Sequence, residues 1–302
     1  MRLIPVGGTG PEDVLPDGEG GLLTGLADGR IRRVQVDEGT VRTVADTGGR
    51  PLGLEWLPDG RLLVCDAHRG LLAVDLGNGA VEVLAREVRG VPIRVCNNAA
   101  VSPDGTVYFT DSSQRFGLEH YRADLLEHSG TGRLLRRDPG GEVEVLLDGL
   151  QFANGVALDP SGDWLAVAET AAYRLLRVWL RGARAGHHET LVDALPGFPD
   201  NISTGSDGLI WIAIPSPRNP LLDLLLPRPP ALRRLVWALP DAVQPAEGRM
   251  LHVRAIAPDG WVVHELRSSG EIYHMVTGVR ERAGLVYLGS LTQRAVGIVK
   301  LR

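Results

Sequence analysis

Two cysteines, Cys65 and Cys96, are too few in 302 residues for a disulfide framework. Both stand in strand-like surroundings, "LLVCDA" and "RVCNN", where a buried reduced pair is expected although a disulfide stays open. No apolar run approaches the roughly 18 residues of a membrane span. The opening "MRLIPVGGTG" is too short and too glycine-broken for a secretory signal, so a cytoplasmic chain is expected. Lysine and arginine number 32 against 37 acidic residues, and no basic tract is interleaved with aromatics; no nucleic-acid partner is expected. "HHETL" and "HELRSS" lack the second histidine of an HExxH zinc site, and no G-x-S-x-G elbow occurs. A phosphate loop is absent too. "GGTGPEDVL" follows the apolar "LIPV" as such a loop would, but the next stretch, "EDVLPDGEGG", carries Pro16 and three glycines where a helix of about ten residues has to run.

What the chain has in plenty is turns, with 38 glycines and 20 prolines. Six segments share one pattern, a turn ending in glycine and then a short apolar or alternating run. They are "LPDGEGGLLTG", "LPDGRLLVCDA", "SPDGTVYFTDS", "DPSGDWLAVAE", "GSDGLIWIAI" and "RAGLVYLGS", with key glycines at 18, 60, 105, 162, 208 and 284. Asp-Gly before β-branched and aromatic residues is a strong hairpin signal. A period near 45 residues with several strands per repeat is what a propeller blade needs, since each small sheet has two apolar faces to bury against neighbours. Second hairpins follow in "LADGRIRRVQV", "DLGNGAVEVLA", "RRDPGGEVEVLL" and "APDGWVVHEL". The expectation is an all-β chain forming a single six-bladed β-propeller domain over 1–302, with a short helical insertion in the 215–250 region around "LLDLLLPRPPALRRLVWALP".

The repeats also align polar residues. Counting back seven from the residue before each key glycine gives Asn97, Asn154 and Asp200 in repeats three to five, and Leu52 and Val276 in repeats two and six. In the first repeat Glu12 of "GPEDV" is the nearest polar candidate. Equivalent positions in a propeller converge on its axis. Glu12, Asn97, Asn154 and Asp200, with Asn98 and Asn201 beside them, would form a hard-oxygen set in the central tunnel. That chemistry favours Ca²⁺, with Mg²⁺, Mn²⁺ or Zn²⁺ as possible substitutes.

The segments "GPEDV", "RPLGLEWLPDGRLLVCDAHRG", "NNAAVSPDGTVYFTDSS", "LLDGLQFANGVALDPSGDWLAVAET" and "LPGFPDNI" resemble the strictosidine synthase-like branch of the senescence marker protein-30/gluconolactonase/paraoxonase superfamily. The likeness spans essentially the whole chain and is strongest toward the adipocyte plasma membrane-associated branch. It implies a catalytic Ca²⁺ at the tunnel mouth, with ligands falling on Glu12, Asn97, Asn154, Asp200 and Asn201. Three departures stand out. Asn97-Asn98 replaces a frequent Asn-Asp, Thr277 falls where strictosidine synthase carries its glutamate, and of the paraoxonase histidine pair only His68 has a counterpart, Leu52 standing near the other.

The expected function is a calcium-dependent hydrolase of lactones or esters acting on a small molecule. Asp200 is the first choice for base or nucleophile and His68 the second. Two alternatives are a strictosidine synthase-like condensing enzyme and a non-catalytic propeller binding module with structural calcium. Thr277 speaks against the first alternative. Glu169 is expected to be a buried structural acid. The 215–250 segment is read as a lid over the tunnel mouth, or else as a membrane-docking surface with Arg228, Arg233 and Arg234 toward headgroups.

Overall fold

The computed structural model describes residues 1–226, 228, 233 and 248–301. Alternation of apolar residues along short strands, broken by Gly-containing turns, yields six four-stranded antiparallel sheets. β1 (Arg2–Pro5) is set aside for the last of them. Blade 1 runs β2 (Val14–Pro16), β3 (Gly21–Gly25), β4 (Arg30–Gln35) and β5 (Val41–Asp46). Blade 2 is β6 (Pro51–Trp56), β7 (Leu62–Asp66), β8 (Gly70–Val74) and β9 (Val81–Ala85), followed by a small hairpin of β10 (Glu87–Val88) and β11 (Val91–Pro92). Blade 3 is β12 (Cys96–Val101), β13 (Val107–Asp111), β14 (Gly132–Arg137) and β15 (Val143–Leu150). Blade 4 is β16 (Ala153–Leu158), β17 (Trp164–Glu169), β18 (Arg174–Trp179) and β19 (His188–Val192). Blade 5 is β20 (Ile202–Thr204), β21 (Ile210–Ala213), β22 (Leu251–Ile256) and β23 (Val262–Ser268). Blade 6 takes β24 (Val276–Arg282), β25 (Leu285–Ser290) and β26 (Ala295–Lys300) from the end of the chain and β1 from its start, Arg2 facing Ile298 and Pro5 facing Ala295. That pairing closes the ring. The first strands, β2, β6, β12, β16, β20 and β24, touch one another around the axis.

The apolar core divides in the same way, one cluster between each pair of neighbouring blades. β17 shows why. Trp164, Ala166 and Ala168 face blade 5, whereas Leu165 and Val167 face blade 3. A strand apolar on both faces can be satisfied only between two other sheets, and the ring supplies them. Cys65 and Cys96 are free buried thiols inside the cluster between blades 2 and 3.

Two results differ from the sequence expectation. A helix, α1 (Tyr121–Glu127), preceded by a single 3₁₀ turn, sits between β13 and β14, where no helix was expected. Its residues lengthen the third repeat. A second, α2 (Pro220–Leu225), does fall in the expected insertion, with Asn219 Oδ1 capping it by accepting from the amides of Leu221 and Leu222. The rest of that expectation, including Arg234, falls largely outside the described residues. Arg233 is described and is buried, not turned toward a surface. Its guanidinium donates to the carbonyls of Leu226 (2.7 Å), Arg228 (2.8 Å) and, from α1, Glu127 (3.0 Å). No described helix is long and apolar enough to cross a membrane.

Candidate functional site in the tunnel mouth

The second residue of four innermost strands, β6, β12, β16 and β24, sits at a repeated irregularity. Pairing slips between Pro51 and Leu54, Cys96 and Ala99, Ala153 and Val156, and Val276 and Val279, so two residues bulge out of each ladder. A bulge re-aims side chains and ends pairing, which is how a strand end can present polar groups to a tunnel. The bulge positions are Leu52, Asn97, Asn154 and Thr277, each followed by Gly53, Asn98, Gly155 or Gly278. In blades 1 and 5 the same places, just ahead of β2 and β20, hold Glu12-Asp13 and Asp200-Asn201. The position in blade 6 is therefore Thr277, correcting the Val276 of the sequence count. The β24–β25 hairpin turns in two residues, Arg282 facing Leu285, so it is shorter than the Pro-Asp-Gly turns on which the count was based.

The second bulge position alternates around the ring between polar residues and glycines. A Cβ on Gly155 would meet the Ile202 nitrogen at 2.2 Å, and one on Gly278 would meet Asp13 Cα at 2.7 Å, so the neighbouring backbone occupies that space. The polar members strap blades together. Asp13 Oδ2 accepts from the Leu54 amide (3.0 Å) and Asn98 Oδ1 from the Val156 amide (2.9 Å). Asn201 breaks this pattern: its Nδ2 donates to both Glu12 oxygens (3.1 and 3.2 Å), and its Oδ1, although buried, has no partner.

Two further amide oxygens are orphaned in the same way. Asn97 Oδ1 and Asn154 Oδ1 are buried without a hydrogen bond, while Asn97 Nδ2 donates to Ser112 Oγ (2.9 Å) and Asn154 shares the cavity wall with Asp200. A buried carbonyl oxygen left unpaired costs about 1–3 kcal/mol, and three around one ring, Asn97 and Asn154 at the first bulge position and Asn201 at the second, call for a ligand. The carboxylates agree. Burial, then the charges of Asp200 and Asp13, pushes Glu12 well above the usual carboxylate range, against the pull of Arg50 and Asn201. Half-buried Asp200 is pushed up to about 7, chiefly by burial. Two carboxylates and three orphaned amide oxygens, without a sulfur or imidazole, fit a hard divalent cation such as Ca²⁺. Among the described residues no group of three or more His, Cys, Asp or Glu is placed to hold a metal ion by itself; here most of the donors are amides.

His68 is well exposed, its Nε2 sits 2.7 Å from Glu119 Oε1, and it is not among the residues lining the cavity beside Asp200. Thr277 donates from Oγ1 to the Glu12 carbonyl (2.8 Å), holding the backbone of that residue. Glu169 accepts from the Gln151 amide (2.8 Å) and pairs with Arg174, the structural role expected of it.

A cavity of about 330 Å³ opens on the blade 4–6 side of the ring, with Asn154 and Asp200 in its wall. Its apolar lining includes Leu125 and Leu126 of α1, Leu222 of α2, Phe152, Phe198 and Met275. Sequence reasoning missed α1 as a wall of this cavity. The only trace was the long third interval between turn glycines.

The profile of the strictosidine synthase family matches residues 97–183, and that of the strictosidine synthase-like N-terminal region matches residues 1–34. The chain is 35% identical to the adipocyte plasma membrane-associated protein of Rattus norvegicus, over 93% of this chain and 80% of that protein. It is 34% identical to strictosidine synthase-like protein 6 of Arabidopsis thaliana, over 93% and 76%. Among solved structures, a gluconolactonase from Xanthomonas campestris superposes with a TM-score of 0.72 at 15% identity, covering 99% of this chain and 89% of that one. Regucalcin from Agrobacterium tumefaciens, a calcium-binding protein, does so with a TM-score of 0.64 at 16% identity, covering 94% and 82%. At such identities these two show the fold alone. The sequence matches show more: this chain belongs to the strictosidine synthase-like family and is similar over nearly its whole length to the adipocyte plasma membrane-associated protein.

Proposed function

We propose that the protein is a calcium-dependent hydrolase of small esters or lactones, with the cation held by Glu12, Asn97, Asn154, Asp200 and Asn201. One observation carries this reading: three buried amide oxygens without partners, around the same ring as two carboxylates that burial holds toward their neutral form. The calcium-binding and gluconolactonase relatives of this fold support it. When bound, a divalent cation supplies Lewis acidity for a carbonyl and counter-charge for the oxyanion. The chain's own residues do the rest. Asp200, on the cavity wall, accepts the proton of the attacking water. Asn201 orients the Glu12 carboxylate, and Asn154 stands beside Asp200 in the cavity wall. The apolar wall beside Asp200 excludes bulk water and takes the substrate's hydrocarbon part. We read α2, with α1, as the lid of this cavity.

The absence of an acid at Thr277 weighs against a condensing enzyme of the strictosidine synthase type. Elemental analysis of the purified protein, followed by hydrolysis of a lactone and aryl-ester panel with and without chelator, tests the proposal. Stoichiometric calcium and chelator-sensitive turnover are expected. A protein that holds no divalent metal, or turnover indifferent to chelator, would refute it. Bound calcium with no turnover on the whole panel would leave a scaffold with structural calcium.

A further inference from the structure

Arg50 is the residue before β6, in the mouth of the tunnel, and is 6% exposed. Buried guanidinium groups are normally paired. Arg133, buried likewise, grips Asp111 at 2.7 Å, and Arg233 is surrounded by carbonyls. Arg50 has neither arrangement. Among the described residues its guanidinium makes one hydrogen bond, from Nη1 to the Gly10 carbonyl at 3.0 Å, out of five N–H donors. Asp66 does not answer it, because its oxygens already accept from Thr47 Oγ1 (2.7 Å) and from the amides of Arg50, His68 and Arg69 (each 3.0 Å). Glu12 feels the Arg50 charge without forming an ion pair with it. The mouth is thus two-sided. α1 and blades 4 to 6 offer a mainly apolar cavity, whose arginines Arg122 and Arg218 both have partners, and blade 2 offers a buried cation with unused donors.

We infer that Arg50 is an anion-binding residue, and that the substrate is an ester or lactone whose apolar group enters the cavity while a separate carboxylate, or an anion of similar shape, is held by Arg50. This inference rests on reading the oxygen ring as the hydrolytic site. The guanidinium fork matches a carboxylate in two parallel hydrogen bonds, and the low local polarity strengthens them.

The test is calorimetric binding of 4-phenylbutanoate and of its neutral isostere 4-phenylbutanamide to the full calcium-loaded chain. Wild type is expected to prefer the carboxylate at least tenfold. Arg50→Gln should bring that ratio to about one, and Arg50→Lys, which keeps the charge without the fork, should restore part of it. Equal affinities in wild type, a measurement independent of any variant's folding, would overturn the inference. So would an Arg50→Gln protein with the wild-type ratio, because the carboxylate would then sit on the cation or elsewhere. Hydrolysis is scored separately. Arg50-dependent binding without turnover of any ester would sustain the anion site while removing the hydrolase reading, and turnover with no Arg50-dependent preference would overturn the anion site alone.

Discussion

Replacing Asn97 by leucine separates a cation ligand from an ordinary structural asparagine. Leu52 already occupies the equivalent bulge position in the neighbouring blade, so the ring accommodates that side chain. In calcium-free protein the substitution removes a buried, unpaired Oδ1, worth about 1–3 kcal/mol, and loses the bond from Nδ2 to Ser112 Oγ, worth about 0.5–1.5 kcal/mol. The variant should therefore lie between a slight loss and a gain of about 2 kcal/mol when chelator is present. With calcium at a hundredfold its dissociation constant, wild type gains about 2.7 kcal/mol from binding. The variant, one ligand short, should gain less than half of that. Urea unfolding of both proteins, in chelator and in calcium, reads the four numbers. Between the two conditions wild type should gain on the variant by more than about 1.3 kcal/mol. A variant weakened by more than about 2 kcal/mol in chelator, yet still gaining the full calcium increment, would show that Asn97 is held for its packing and would refute the reasoning.

Three other outcomes follow from the same contacts. Asp200→Asn should keep the fold and lower kcat on the best ester by about 10²–10⁴, the usual worth of a positioned base, measured at saturating calcium; wild-type turnover would remove Asp200 from the chemistry. Arg133→Met should destabilise by about 3–5 kcal/mol in urea, because it strands the fully buried Asp111 that Arg133 neutralises; a loss under about 1 kcal/mol would mean Asp111 is satisfied by the Arg94 and Val95 amides alone. Burial holds both His128 and His252 below the ordinary histidine value, against the upward pull of Glu265 on His252. Their contribution is thus complete above the unfolded value near 6.5 and is lost as pH falls toward the folded one. The urea midpoint should drop from pH 7 to 5, and His128→Asn with His252→Gln should flatten that drop; an unchanged slope would place the acid sensitivity elsewhere.

The turns and the alternation between them carried the blades into the sequence plainly, because Asp-Gly hairpins and doubly apolar strands are local chemistry. The oxygen ring was half legible: Asn97, Asn154 and Asp200 share a fixed distance from their turn glycines, which holds only where the hairpin length is constant. Blade 6 shows the limit, its two-residue turn shifting the count from Thr277 to Val276. Arg50 gave no signal at all, since an arginine before a strand reads as surface until its burial is seen.

Spacing of glycines and apolar residues by itself determined six blades, because each short strand could bury its two faces only between neighbours. Which amide oxygens lack partners, which aspartate shares a cavity wall with α1, and which arginine is buried nearly unpaired were decided by tertiary structure alone. Those properties belong to the space between blades, where residues from opposite ends of the chain meet, as Glu12 does with Asn201 and Thr277.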